Sequence, residues 1–218
     1  MSNQPIIVSA SPHVHSDRTS KKLMYDVVIA LIPAFLVSIY VFGISALIAT
    51  SVAIASCMLF EYVIQKYLLK TDVTITDGSA LITGILLAFN LPATLPIWMI
   101  IVGSLVAIGV AKLSFGGLGF NIFNPALVGR VFLLVSFPVQ MTMWPTAIEN
   151  NTRLVDAVTG ATPLGVIKEG LQYGETMTEI SSKIPSTIDM LFGFTGGSLG
   201  EMSAIALLLG GLYLIIRK

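Results

Sequence analysis

Residues 24–42 and 44–64 form two long apolar runs separated by one residue, Gly43. A helix that crosses the hydrocarbon core of a bilayer needs about 20 mostly apolar residues. Both runs meet that length, and a single glycine is left to turn the chain between them. Two such helices must lie side by side and antiparallel, each satisfying its own backbone hydrogen bonds where no water reaches. Composition agrees. Charged residues make up 11% of the chain and hydrophobic ones 55%, where a soluble domain carries about 25% charged. Mean hydropathy is +0.87. The expected class is an all-α polytopic membrane protein with the lipid bilayer as its first partner.

Four more apolar stretches, 79–91, 96–113, 125–144 and 198–218, bring the count to about six membrane segments. The third is short. It follows Asp77-Gly78-Ser79, where Asp77 or Ser79 can cap a helix, and it stops at Asn90-Leu91-Pro92. A thin span, a half-helix and a re-entrant segment all remain open for it. Between the fourth and fifth lies a glycine-rich broken-helix region with Gly116, Gly117, Gly119, Asn121 and Asn124. Irregular backbone at that depth requires protein or a polar cavity around it. Asn124-Pro125 predicts an N-cap followed by proline at the first helical position. Asn124-Pro125-Ala126 is also the water-channel tripeptide, but it occurs once here and water channels use it twice.

Inside these spans, Arg130 demands either the membrane surface or a polar partner. Asp26 and Glu61 sit near span ends and are assigned to the interface. Gly84, Gly103 and Gly210-Gly211 are expected where helices pack closely, and Cys57 as a small buried residue. Pro33 is tolerated as a kink.

Two polar intervals flank or interrupt the spans. Residues 1–22 form an N-terminal tail without a cleavable signal pattern, and residues 145–197 form one long loop. His13-Val14-His15 lacks a third ligand and makes no metal site. Zero formal net charge argues against nucleic acid as a partner. With six crossings and a cytoplasmic N-terminus, Arg18, Lys21, Lys22, Lys66, Lys70, Lys112, Arg130, Arg217 and Lys218 fall inside. Arg153, Lys168 and Lys183 fall outside, so nine cations against three put the 145–197 loop outside the cytoplasm.

That loop contains Asp156-Ala157-Val158-Thr159-Gly160-Ala161-Thr162-Pro163. Gly160 permits a positive φ, Pro163 pushes Thr162 towards an extended conformation, and Asp156 can cap a local turn. An ordinary turn is one reading. The other starts from two hydroxyls, Thr159 and Thr162, flanking an accessible Gly-Ala backbone, which suits an enzyme that modifies a threonine.

Asp156-x-x-Thr159-Gly160-Ala161-Thr162 resembles the flavinylation sequence of a family of redox-pump membrane proteins, the RnfD/NqrB family. Its two branches serve the Rnf complex, a ferredoxin:NAD oxidoreductase, and the sodium-translocating NADH:quinone reductase. Gly116-Gly117-x-Gly119-x-Asn121-x-Phe123-Asn124-Pro125-Ala126-x-x-Gly129-Arg130 is similar to the same family, as is the Ser11-Pro12-His13-x-His15 opening followed by Met24-x-Asp26-Val27. The resemblance covers nearly the whole chain from Ser9 onward. It implies FMN bound through a phosphoester to Thr162, with Asp156, Thr159, Gly160 and Ala161 as the residues a flavin transferase reads. It also implies a second flavin, such as riboflavin, in the full-length fold. Electrons would pass between this protein and other membrane and peripheral subunits, including a second flavin-bearing one and iron–sulfur subunits, coupled to Na⁺ or H⁺ translocation across a bacterial inner membrane. No residue of this chain is expected to be catalytic in its own right. The implied fold is two inverted repeats similar to urea and ammonium channels, of which this chain would be the first half, with no independent activity expected. A channel or transporter half and a structural subunit with an unmodified Thr162 are the alternatives.

Overall fold

The computed structural model describes residues 19–145, 162–193 and 196–217. Among these residues the architecture is all-helical. Helix α1 spans Ser20–Phe42, and α2 spans Ile44–Val63 and continues as a π-helical turn over Ile64–Leu69. Gly43 joins them with φ 64° and ψ −142°, and its N–H closes α1 on Ile39 O. A side chain is strongly disfavoured in that conformation, which is why a glycine makes the hairpin.

Helix α3, Ser79–Phe89, runs back along α2. Its start lies beside Glu61 through Lys112, and Gly84 packs on the backbone of Ile54. As residue numbers rise in α3 they fall in α2, so the two are antiparallel. Helix α4 spans Ile97–Leu105, and a second π-helical turn over Val106–Lys112 extends it. Helix α5, Pro125–Ser136, is antiparallel to α4: Trp98 meets Phe137 edge-on at 5.2 Å, and Gly129 packs on Gly103 O and Ala107. Phe137 interrupts the fifth apolar stretch, so the single helix expected over 125–144 is α5 followed by a short α6, Pro138–Thr142.

Helices α7 (Pro163–Gln172), α8 (Met177–Lys183) and α9 (Thr187–Phe192) belong to the polar interval. Helix α10, Ala204–Arg217, then returns antiparallel to α1, with Gly210 against Ala30 O and Arg217 beside Asp26. The short third segment thus runs antiparallel to α2 from the Lys112 end of the bundle to the other. Helix α3 supplies its first part, and the buried loop residues Leu91, Pro92, Ala93 and Leu95 carry the chain on towards α4. Leu199 N–H donates to Leu91 O and Gly200 N–H to Phe89 O, satisfying the last carbonyl of α3 and one in the buried loop after it.

Three of these helical units are long and apolar enough to cross a membrane: Ser20–Phe42, Ile44–Leu69 and Ile97–Phe115. Helices α3, α5 and α10 are shorter and apolar. Large hydrophobic side chains such as Leu36, Tyr40, Val135, Leu208 and Ile216 point outwards from them. An outward-facing apolar surface of this kind is what lipid solvates.

Candidate functional site

Two places in the fold carry chemistry: a buried charge cluster at one end of the helix bundle, and Thr162 at the head of α7.

Glu61 and Lys112 come from α2 and from the π-helical end of α4. Lys112 Nζ lies 2.6 Å from Glu61 Oε2, with side chains 2% and 0% exposed. Sequence reasoning placed Glu61 near the interface and counted Lys112 among the cytoplasmic cations. In the fold both are buried, each charge being the partner that lets the other leave solvent. A buried ion pair of this kind is costly to assemble and brings little net stability. Its other valences are also filled. Lys112 Nζ donates to Ser79 Oγ at 2.6 Å, and Ser79 Oγ donates to Asp77 Oδ1 at 2.6 Å. Glu61 Oε1 accepts from Thr74 Oγ1 at 3.3 Å and from Gln65 Nε2 at 3.4 Å. Gln65 Nε2 also donates to Thr74 Oγ1 at 2.7 Å.

A continuous polar track therefore leads from the exposed Thr74 and half-buried Asp77 to the fully buried Glu61 and Lys112. Asp77 doubles as the local cap of α3, accepting from Ser79 N–H at 2.7 Å. Both π-helical turns border the cluster: one holds Gln65, the other ends at Lys112. Such turns re-aim side chains and concentrate at functional sites. Sequence reasoning missed the cluster, although its signal was present as one acid and one base within otherwise apolar runs.

Arg130 has the polar partner expected of it. Its Nη1 donates to Asn90 Oδ1 at 2.7 Å, while Asn90 Nδ2 donates to Leu86 O at 2.8 Å. Asn124 caps α5 by accepting from Ala126 N–H at 3.0 Å. Asp26 accepts from Arg217 Nε at 3.1 Å and from Tyr213 O–H at 3.3 Å, tying α1 to α10. Gly84, Gly103 and Gly210 stand at close helix contacts, whereas Gly211 faces open space. Cys57 is fully buried.

Thr162 is half-buried and extended, at φ −65° and ψ 155°, and forms the N-cap of α7. Its Oγ1 accepts from Gly165 N–H at 3.2 Å, and Pro163 takes the first helical position. Asp156, Thr159, Gly160 and Ala161 lie outside the described residues, as do His13 and His15. The donor set at Thr162 suits a phosphate ester. In the first turn Pro163 has no N–H and Val166 N–H bonds Thr162 O, so Leu164 N–H is the donor left for a phosphate on Oγ1, and an esterified oxygen can still accept from Gly165. FMN therefore fits this position.

Glu179 lies in α8, outside the spans. The Thr176 backbone N–H, and then its hydroxyl, hold the carboxyl below its ordinary range. Among the described residues no group of three or more His, Cys, Asp or Glu side chains forms a metal site.

Antiparallel apolar helices with shorter apolar segments packed between them define an all-α polytopic membrane protein. The family is then specific: the chain belongs to the NQR2, RnfD, RnfE family, whose model matches residues 7–218. It is 47% identical to the D-subunit of the Na(+)-translocating ferredoxin:NAD(+) oxidoreductase complex of Acetobacterium woodii, over 100% of this chain and 64% of the relative. It is 45% identical to the D-subunit of the proton-translocating ferredoxin:NAD(+) oxidoreductase complex of Clostridium ljungdahlii, over 97% of this chain and 62% of the relative. With the D-subunit of the ion-translocating oxidoreductase complex of Rhodobacter capsulatus the identity is 39%, over 96% and 63%. The chain thus spans a little under two thirds of the length of these relatives.

Proposed function

We propose that this chain is the FMN-bearing membrane portion of an ion-translocating ferredoxin:NAD⁺ oxidoreductase, with FMN esterified to Thr162 Oγ1. One observation carries the reading: the last hydroxyl of Asp156-x-x-Thr159-Gly160-Ala161-Thr162 caps α7 in a chain of this family. When bound, FMN supplies one- and two-electron chemistry. The chain's own part is to hold the phosphate at the head of α7 and confine the ring to a short tether, which raises its effective concentration at partner subunits.

The ion-coupling part falls to the polar track. Glu61 and Lys112 are ionisable groups inside spanning segments, and such groups mark ion and proton pathways. A cation arriving past Thr74 and Asp77 can replace Lys112 as the counter-charge of Glu61. Both Na⁺ and H⁺ suit that exchange, and the relatives' names include both ions. Iron–sulfur and further flavin subunits are the expected electron partners, in a bacterial plasma membrane with the Thr162 loop outside. A flavin-free transporter half is the competing reading, favoured by the polar track taken alone.

The two separate in a gel. Co-expressed with a flavin transferase, the denatured polypeptide should fluoresce under ultraviolet light. Thr162→Val should abolish the band, and Thr159→Val should keep it. A dark wild-type band, with a control substrate flavinylated in the same cells, overturns the FMN reading.

A further inference from the structure

Helices α7 and α8 fold against one another as a hairpin. Gly174, at φ 72°, turns the chain, Glu175 N–H closes on Gly170 O, and Ile180 packs where a side chain on Gly170 would stand. A capping box between Thr176 and Glu179 fixes the start of α8. The hairpin holds a cavity of about 350 Å³, lined by Val166, Glu169, Gly170, Tyr173, Glu175 and Lys183. Small-ligand sites begin at about 300 Å³.

We propose that this cavity docks the isoalloxazine ring of the FMN tethered at Thr162; the proposal rests on the attachment reading given above. Helical spacing supports it. At about 100° per residue, Val166, Glu169 and Tyr173 lie within about 40° of the direction of Thr162, so the tether and the cavity share one face of α7. Val166 is about 6 Å along the axis from Thr162 and Tyr173 about 16 Å. An extended phosphoester, ribityl chain and ring cover that distance.

The lining matches the ring's chemistry. Tyr173 is 77% exposed, an aromatic face with little packed on it, at the far end of the stripe. A flavin stacked there covers apolar surface and gains a π contact. The pyrimidine edge of the ring has one N–H and two carbonyl oxygens. Glu169 provides the acceptor the N–H needs, and Lys183 a donor for the carbonyls. Lys183 Nζ is held 2.6 Å from Glu175 Oε1, which fixes the ammonium at the cavity wall. Gly170 lines the cavity between Val166 and Tyr173, with Ile180 packed against it from α8. The ring is thereby held at a fixed place for its electron partners.

The test uses the full chain flavinylated in membranes, with native fluorescence normalised to the same sample after denaturation. Attachment is read separately from the mass of the Thr162 peptide. Tyrosine and tryptophan in contact with a flavin quench it, so wild type should be strongly quenched and poorly accessible to iodide. Tyr173→Leu should raise native fluorescence severalfold and open the flavin to iodide, and Tyr173→Trp should restore quenching. Lys168→Gln, on the opposite side of α7, should change neither. If the peptide carries FMN but Tyr173→Leu leaves fluorescence and iodide access at the wild-type values, docking is overturned and attachment stands. If the peptide carries no FMN, both fall.

Discussion

Lys112 Nζ sits 2.6 Å from Glu61 Oε2, although 51 residues separate the two in sequence. Removing one partner strands the other charge away from water, typically at a cost of about 3–5 kcal/mol. Lys112→Met should therefore lower the melting temperature of the detergent-solubilised protein sharply. The double variant Glu61→Leu/Lys112→Met should recover most of the loss while abolishing ion coupling. A single variant as stable as the double one would contradict the pairing.

Helices α1 and α10 approach at Gly210, where a Cβ would run into the Ala30 carbonyl oxygen. The obstacle is backbone and cannot rotate aside. Gly210→Val should cost about 1–3 kcal/mol through overpacking, and it should loosen the Asp26–Arg217 contact one end of that interface makes. Gly211→Ala, with open space around it, should leave the melting temperature unchanged. Equal effects at the two positions would contradict the packing.

The polar interval joins the bundle at the end opposite Asp26 and Glu61, since Leu199 and Gly200 bond the carbonyls of Leu91 and Phe89 at the far end of α3 from Ser79. On the proposed orientation, taking the buried Lys112 out of the charge count leaves eight cations on the inner side against three on the outer. A cysteine at Glu169, in a Cys57→Ala background, should react with a membrane-impermeant thiol reagent on intact cells. Labelling only after lysis would reverse the orientation.

Much of the fold was legible because membrane helices announce themselves by length and apolarity. Residues 24–42 and 44–64 match α1 and α2 closely, and Asn124-Pro125 marked the start of α5. The π-helical extensions carry no such signature, since Ile64–Leu69 and Val106–Lys112 look like continued α-helix. The charge cluster was hidden for a related reason. Glu61, Ser79 and Lys112 come from three different segments, and only packing brings them together. The extended backbone of Thr162 was legible from the proline that follows it, whereas the cavity beside it depends on how α8 folds back on Gly170.

The α7–α8 hairpin should respond to acid through Glu179. Its folded pKa lies below the ordinary value, so the capping box contributes stability above the unfolded pKa, about 4.3. That contribution is lost as pH falls through the folded pKa. Amide protection factors at Met177–Lys183, corrected for the intrinsic pH dependence of exchange, should fall on acidification through that range, and Glu179→Gln should flatten the dependence. Identical acid profiles for the two proteins would remove Glu179 from the account.

Attachment of FMN to Thr162 Oγ1 is tested most directly by the mass of the proteolytic peptide spanning Val155 to Lys168. Made with an active flavin transferase, that peptide should be heavier by one FMN less one water, with fragmentation assigning the addition to Thr162. The same peptide from Thr162→Val should be unshifted. An unshifted wild-type peptide alongside a flavinylated control substrate, or an addition that fragments to Thr159, would contradict the assignment.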